Sequence, residues 1–405
     1  MLLRASLTAC LALAIAACGE SATEAPAQAD LESVAAALSK QAIIVDTHVD
    51  VPYRLEEKWE DVSRATDGGN FDYPRAVAGG LNVPFMSIYT PAQLEAEGGS
   101  KATAERLIDM VYGIAEKSPD KFAIALSPSD VETQFSNGII SLPMGMENGS
   151  PIEGDLANVE HFHNRGIRYI TLAHSLSNHI SDSSYDDNRQ WNGLSDFGKD
   201  VVREMNGVGI MVDVSHISDE AFNDVMAVTS VPVIASHSSA RRFTPGWERN
   251  MSDDMIRELA DNGGVIMINF GSSFITETAH NYSTARSDAY DDYVADGKLE
   301  KSDELREKFD AGYDAEHGPF PYADLEEVLD HFDHVIKTGG IDHVGIGSDY
   351  DGVGDSLPSG LKDVSKYPNL VRGLLERGYS EEDVRKILGL NLLRVWREVE
   401  AASKI

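Results

Sequence analysis

The segment Ile43-Ile44-Val45-Asp46-Thr47-His48-Val49-Asp50 decides the fold, because its apolar run is followed directly by a polar stretch that contains His48 and Asp50. The apolar residues are typical of a buried β-strand, and Pro52 closes the segment. His48 and Asp50 are two positions apart, so on an extended backbone they lie on one side and can bind one metal ion together. One histidine–x–aspartate pair is weak evidence, so its meaning depends on how the other strands end.

Further apolar runs alternate with amphipathic helical patterns along the chain. The eight predicted strands are Ala42–Thr47, Leu81–Ile88, Ile139–Met146, Arg168–Ala173, Gly209–Val214, Val231–Ala235, Gly264–Phe270 and His343–Ser348. Predicted helices, many with Asp or Ser at the start as a cap, include Leu31–Lys40, Ala102–Glu116, Asp196–Asn206, Asp219–Val228 and Asp253–Asn262. Eight such units predict an α/β fold, a (β/α)8 TIM barrel. The run Phe122–Leu126 is left out of the barrel because no candidate ligand follows it.

Composition sets limits on partners. The chain has 405 residues, of which 42% are hydrophobic and 25% charged, as in ordinary globular proteins. Its formal net charge of −33 argues against nucleic acid, whose phosphates it would repel. The simplest explanation of the excess negative charge is that it keeps the protein soluble.

The first residues are predicted to be a targeting signal. Arg4 precedes an apolar run that is too short to span a bilayer, so residues 1–17 are assigned to a signal peptide. The end of this run, Ile15-Ala16-Ala17-Cys18-Gly19, resembles the bacterial lipoprotein box, which implies a lipid on Cys18. A plain secretory signal is the alternative. Since Cys10 leaves with the signal, no disulfide is available.

The mature chain is divided into a tether and one domain. Residues 18–30 are small and polar and predict a flexible lipidated tether, and residues 31–405 are assigned to a single metallohydrolase domain. The expected location is the bacterial cell envelope, with the exported protein facing the periplasm or the exterior. An acidic, aromatic insertion at about 275–322, weakly helical around Ser302–Phe309, is expected between the seventh strand and its helix. A lid, an interface and a solvated surface insertion all stay open for it.

Polar residues follow six of the predicted strands. In a barrel of this kind, functional side chains lie at the carboxyl ends of the strands. Those positions hold His48, Asp50, Glu147, His174, His216, His237 and Asp349. Imidazole and carboxylate are ligands that Zn²⁺ takes, and the mature chain offers no competing thiolate. Histidines in helical patterns or in the insertion are not expected to bind metal: His161, His163, His280, His317, His331 and His334.

Five of the strand-end residues are the candidate metal ligands: His48, Asp50, Glu147, His216 and His237. They are too many for one tetrahedral catalytic zinc that keeps a water, but they fit two metal ions that share a bridge. The bridge must be anionic, and none of these strand ends offers a lysine for carboxylation. Glu147 is therefore the predicted bridge, with His48 and Asp50 on one metal ion and His216 and His237 on the other.

The predicted chemistry is hydrolysis of a carbonyl compound. A hydroxide that bridges two metal ions is a nucleophile at neutral pH, and the same ions polarise the attacked carbonyl. Asp349 is free to pass a proton from that hydroxide to a leaving amine. His174 is placed to donate a hydrogen bond to the developing oxyanion.

From about Ala42 to Ala401, the insertion excluded, the chain resembles the membrane (renal) dipeptidase family of the metal-dependent amidohydrolase superfamily. The motifs that carry the resemblance are Asp46-Thr47-His48-Val49-Asp50-Val51-Pro52, Asp213–Ser218, Pro232–Ala240, Gly347–Val353, Asp363–Pro368 and Asn391–Val395. The resemblance implies a homodimeric dizinc barrel that hydrolyses dipeptides with the five ligands above. It gives His174 a substrate-binding role and Asp349 an acid/base role. It also implies that Arg249 receives the substrate's terminal carboxylate, for which Arg241 and Arg242 compete.

The chain also departs from the mammalian members. Asn148-Gly149-Ser150-Pro151 stands where they have Gly-Gly-His-Ser, and Gly271 stands where they carry a tyrosine. Side-chain preference, the mammalian disulfide and the glycolipid anchor are therefore not carried over. The prediction is a zinc-dependent dipeptidase. Hydrolysis of another small amide (an N-acyl amino acid or a β-lactam) and a non-catalytic metal-binding lipoprotein are the alternatives.

Overall fold

A computed structural model describes residues 28–404, so the predicted signal peptide and Cys18 lie outside the described residues. The ten strands are β1 (Val45–Val49), β2 (Val83–Tyr89), β3 (Phe122–Ile124), β4 (Ile140–Leu142), β5 (Met144–Glu147), β6 (Ile167–Thr171), β7 (Met211–Asp213), β8 (Ile234–Ser238), β9 (Val265–Ile268) and β10 (Val344–Ile346). Eight of them close into a parallel barrel in the order β1-β10-β9-β8-β7-β6-β5-β2. The predicted (β/α)8 barrel is therefore confirmed.

Helices surround the barrel. Their bounds are α1 (Gln28–Gln41), α2 (Val51–Glu57), α3 (Tyr73–Gly79), α4 (Leu94–Glu97), α5 (Ser100–Lys117), α6 (Pro128–Ser136), α7 (Ala157–Asn164), α8 (Asp196–Val208), α9 (Asp219–Val228), α10 (Asp253–Asp261), α11 (Ser272–Ile275), α12 (Glu277–Gly297), α13 (Asp303–His317), α14 (Leu325–Gly339), α15 (Tyr367–Glu376), α16 (Glu381–Arg385) and α17 (Asn391–Ala402). Three begin where the sequence predicts because a serine caps them: the side chains of Ser195, Ser218 and Ser252 accept backbone N–H groups of α8, α9 and α10. Within residues 28–404, no helix has the length and apolar character needed to cross a bilayer.

The predicted strand Ile139–Met146 is two strands in the structure. Pro143 separates β4 from β5, since proline has no N–H to donate to a ladder. β5 pairs with β2 in the barrel, whereas β4 pairs with β3 in a separate parallel sheet. Within the run Phe122–Leu126, residues Phe122–Ile124 form β3, which lies outside the barrel. This run is likewise left out of the barrel predicted from the sequence.

Large apolar side chains fill the barrel. Phe85 of β2 lies between Tyr169 of β6, at 5.6 Å between ring centroids, and Trp396 of α17, at 5.4 Å. All three side chains are buried, and burial of each such side chain contributes roughly 1.5–3 kcal/mol. This packing fixes the strands, and with them the side chains at their carboxyl ends.

The segment 275–322 is largely helical. It lies between β9, the seventh barrel strand along the chain, and α14, and it forms the helix pair α12 and α13, where the sequence predicts one weak helix. Phe309 of α13 lies 5.3 Å from the rings of both Tyr290 and Tyr293 of α12. At the start of α12, His280 packs at 4.3 Å on Trp247, so the pair is attached beside the barrel mouth.

Candidate metal centre

Glu147 is the centre of the cluster at the carboxyl end of the barrel. It is the last residue of β5, is 4% exposed, and turns its two oxygens towards different histidines. Oε2 lies 3.4 Å from His48 Nε2, which is itself 3.4 Å from Asp50 Oδ2. Oε1 lies 3.1 Å from His216 Nε2 and 3.2 Å from His237 Nε2. These two sets are the ones predicted to hold the two metal ions.

The two residues predicted to act on substrate lie in the same cluster. His174 Nε2 is 3.5 Å from Glu147 Oε1, and its ring centroid is 4.3 Å from that of His216. Among residues 28–404, three overlapping sets of donor atoms lie within 4.8 Å of one another: His48, Glu147 and His237; Glu147, His174 and His216; His48, Asp50 and Asp349. All seven residues predicted from the strand ends are therefore brought together.

The electrostatics of the cluster favour metal binding. Burial raises the pKa of Glu147, but the charges of His48 and His174 and the hydrogen bonds of His216 and His237 outweigh it, and the net pKa is well below the usual value. Burial lowers the pKa of His216 and His237 well below their usual values, and the charge of Arg249 lowers both further. The ionised carboxylate therefore faces neutral imidazoles at His216 and His237, and neutral imidazole is the form of histidine that binds metal. The pKa of His48 is instead raised well above its usual value, because Tyr169, Glu147 and Asp50 outweigh the effect of burial.

Asp349 has different electrostatics. Burial raises its pKa to about 7; the charges of Asp50 and Glu147 add to the rise, whereas His48 and the hydrogen bond from Asn269 oppose it. Asn269 Nδ2 donates to Asp349 Oδ2 at 2.7 Å and so fixes the carboxyl group. A carboxyl group that titrates near neutral pH can both accept and release a proton.

The residues present fit a metal cofactor. Four buried atoms of the cluster have no hydrogen-bond partner: His48 Nε2, Asp50 Oδ1, His174 Nδ1 and His216 Nδ1. In addition, the Nε2 atoms of His216 and His237 lie only 2.8 Å apart while both face Glu147 Oε1. Buried acceptors without partners are costly. Metal cations bound between these nitrogen and oxygen atoms would supply the missing partners for their lone pairs.

The backbone at the strand ends is unusual. Asn148, His216 and Asp349 have positive φ angles of 81°, 70° and 63°, which non-glycine residues adopt only at a cost. A Cβ atom on Gly352 would lie 2.2 Å from Asp50 Oδ2 and 2.3 Å from Asp349 Oδ1. A side chain at position 352 would therefore displace these two carboxylates from their positions in the cluster.

Arg249 is the one of three candidate arginines that reaches the cluster. It is 2% exposed, donates from Nη1 to Ser238 Oγ at 2.8 Å, and places Nη2 2.9 Å from His216 Nε2. Its Nε has no hydrogen-bond partner, and no carboxylate of residues 28–404 forms an ion pair with it. Arg241 instead pairs with Asp219 at 2.5 Å, and Arg242 is exposed.

Two residues at the barrel mouth were missed by sequence reasoning. Asn269 directly follows β9 and holds Asp349. Tyr89 ends β2, and its ring lies 4.8 Å from that of His174. Both lie at the carboxyl end of a barrel strand. The sequence signal for them is therefore the same as for the other site residues, but the prediction covers only histidines and carboxylates.

Fold and site together define a class of protein, a (β/α)8 barrel with a histidine and carboxylate metal centre at the carboxyl ends of its strands. A family model described as membrane dipeptidase (peptidase family M19) matches residues 32–405. Dipeptidase tcpJ of Claviceps purpurea (strain 20.1) is 36% identical over 345 residues, which are 83% of this chain and 71% of that protein. The chain belongs to the M19 membrane dipeptidase family, and this membership implies a metal cofactor.

Solved structures agree with this assignment. The probable dipeptidase PvdM from Pseudomonas aeruginosa superposes with a TM-score of 0.78 at 26% identity, covering 92% of this chain and 99% of that one. Dipeptidase AC, a metallopeptidase of family M19, superposes with a TM-score of 0.73 at 25% identity, covering 88% of this chain and 98% of that one. The resemblance inferred from the motifs is confirmed, and the chain is a metallodipeptidase of this family.

Proposed function

We propose that the chain is a binuclear zinc dipeptidase that hydrolyses the amide bond of small dipeptides with a free carboxylate. The observation that carries the proposal is the position of Glu147, whose Oε2 faces His48 Nε2 and whose Oε1 faces the Nε2 atoms of His216 and His237. Two dications repel each other at short distance, so a shared anionic ligand between them is required. All donors are imidazole nitrogens or carboxylate oxygens, and no cysteine follows position 18, which suits Zn²⁺.

The residues of the cluster divide the work of amide hydrolysis. Bound zinc ions supply an acidified water and polarise the attacked carbonyl. Asp349 takes up the proton of the attacking water and passes it to the leaving amine, which its pKa of about 7 permits. His174 donates a hydrogen bond to the developing oxyanion. Arg249 binds the substrate's carboxylate through parallel N–H donors and thereby positions the amide bond.

Metal analysis together with turnover tests this proposal. We expect about two zinc ions per chain, loss of dipeptide hydrolysis on chelation, and its return when zinc is added back. Protein without metal and without turnover would support the non-catalytic lipoprotein instead. Turnover of N-acyl amino acids or β-lactams without turnover of dipeptides would support the other amide hydrolases.

Arg249→Ala is expected to weaken the binding of dipeptides. Loss of a charged hydrogen-bond partner costs about 2 kcal/mol, equivalent to about 30-fold in kcat/KM. A dipeptide amide, which lacks the terminal carboxylate, should be hydrolysed by the variant and the wild type at similar rates. The comparison of kcat/KM for the two substrates is the measurement, with the exposed neighbour Arg242→Ala as control. Equal losses on both substrates would remove the assigned role of Arg249.

We also propose that the mature protein is held at the bacterial cell envelope by a lipid on Cys18, facing the periplasm or the exterior. The support is the Ile15–Gly19 sequence, with its small residues before cysteine. Cys18→Ala is expected to abolish incorporation of labelled fatty acid and to release the protein from membranes, whereas Cys10→Ala changes neither. Labelling of the Cys18 variant would contradict the proposal. The homodimer stays a prediction.

A further inference from the structure

We infer that His48 and His237 are each locked in a single tautomer, and that Tyr169 and Ser236 are the positioning residues that lock them for metal binding. The part of this inference that concerns two separate metal ions rests on the proposed binuclear centre. The tautomers themselves follow from hydrogen-bond donors and acceptors within the chain.

The tautomer of His48 is set by Tyr169. The Tyr169 hydroxyl lies 2.9 Å from His48 Nδ1 and donates to the backbone oxygen of Thr47 at 3.0 Å. A carbonyl oxygen can only accept, so the single phenolic proton points to Thr47. His48 Nδ1 must then be the donor to Tyr169. In the neutral ring this leaves the lone pair on His48 Nε2, which faces Glu147 and Asp50.

Room for the Tyr169 ring depends on Gly145. Tyr169 is 0% exposed and lies inside the barrel, on β6 beside β5. A Cβ atom at position 145 would lie 2.0 Å from Tyr169 Cζ and 2.1 Å from Cε1. Any other residue at this position would displace the ring that holds His48.

The tautomer of His237 is set by a second chain of hydrogen bonds. Ser236 Oγ lies 2.7 Å from His237 Nδ1 and donates to Asp213 Oδ2 at 2.6 Å. Asp213 also accepts the N–H groups of Ser215 and Ser236 and the hydroxyl of Thr171, so its carboxylate is surrounded by donors. The Ser236 proton therefore points to Asp213, and His237 Nδ1 donates to Ser236. The lone pair of His237 lies on Nε2.

The rings of the two locked histidines stack at 3.7 Å between centroids, but they face different oxygens of the proposed bridge. His48 Nε2 faces Glu147 Oε2, whereas His237 Nε2 faces Oε1. The remaining histidines differ, since the Nδ1 atoms of His174 and His216 are buried without a partner in the described chain. Each proposed metal position thus has one preoriented imidazole. Such outer partners typically change metal affinity by about 10–100-fold.

The tautomers are tested first in the metal-free wild type, which needs no variant. Two-bond ¹H–¹⁵N correlation spectra of the histidine-labelled protein, recorded at a pH at which both rings are neutral, are expected to show the proton of His48 and of His237 on Nδ1. A neutral ring that carries its proton on Nε2 overturns the inference for that ring. This outcome does not depend on how many metal ions bind, so it is separable from a failure of the proposed function.

The positioning role is tested by removing each hydroxyl. In Tyr169→Phe we expect the zinc dissociation constant of the position beside His48 to rise about 10–100-fold. In Ser236→Ala we expect the same rise for the position beside His237. Anomalous scattering at limiting zinc should show the loss beside His48 and Asp50 in the first variant and beside His216 and His237 in the second. Tyr112→Phe and Ser141→Ala, both away from the cluster, are the controls and should leave both constants unchanged.

Two results overturn the positioning role. One is unchanged affinity for both ions in both variants. The other is an equal loss of both ions in either variant, which indicates general disruption of the barrel. Wild-type protein that binds fewer than two ions would instead contradict the proposed function, while the spectra of the metal-free protein still decide the tautomers.

Discussion

Glu147→Gln is expected to abolish dipeptide hydrolysis and to lower the metal content of the purified protein. The carboxylate lies within 3.5 Å of four imidazole Nε2 atoms, and it is the anionic group that both donor sets share. Glutamine has the same shape but no charge, and one of its two terminal atoms is a donor that cannot bind a cation. We therefore expect a rate loss of at least about 10³-fold, equivalent to about 4 kcal/mol of transition-state stabilisation.

The matched control is Glu105→Gln. Glu105 of α5 also pairs with a histidine and an arginine, at 2.5 Å from His161 Nε2 and 2.8 Å from Arg165 Nε, but outside the barrel mouth. Its substitution should leave metal content and turnover unchanged. Metal analysis and steady-state rates of the two variants decide the matter. A Glu147→Gln variant with two metal ions and wild-type turnover would contradict the bridging role.

Asp349→Asn is expected to retain the metal ions but to lose rate. The amide oxygen of asparagine can still accept the hydrogen bond that Asn269 donates to Asp349 Oδ2 at 2.7 Å, so the side chain keeps its position. An amide cannot accept a proton from water or deliver one to an amine. General acid–base catalysis contributes about 10²–10⁴-fold, and the expected fall in kcat is of this size.

Rate and metal content must be measured on the same preparation of this variant. Asp355→Asn, an exposed position in the same loop, serves as the control and should behave as wild type. Full activity of the Asp349 variant would show that the proton passes through another group. Loss of a metal ion would make Asp349 a ligand, which its closeness to His48 and Asp50 allows sterically.

The barrel and most of the cluster could be predicted because they depend on local sequence. Each barrel strand is a short apolar run, and polar residues such as His48, Glu147 and Asp349 stand where these runs end. Since parallel strands bring their carboxyl ends to one side, position along the chain was enough to predict that these residues meet.

Other features depend on contacts distant in sequence. The helices α12 and α13 are held by aromatic contacts, such as that of Phe309 with Tyr290, and not by an apolar stripe. From the sequence, Tyr169 is a core residue in an apolar strand. Its hydroxyl lies 2.9 Å from His48 Nδ1 in the folded barrel, where Gly145 leaves room for the ring. Arg249 lies in a loop between β8 and α10, and from the sequence only the family resemblance indicates it, because its burial depends on contacts distant along the chain.

The central feature of the proposed site is a pair of cations that share the carboxylate of Glu147. Diffraction data collected at the zinc absorption edge from zinc-loaded crystals test this directly. We expect two anomalous peaks flanking Glu147, one beside His48 and Asp50 and the other beside His216 and His237. A single peak, or peaks away from Glu147, would contradict the account.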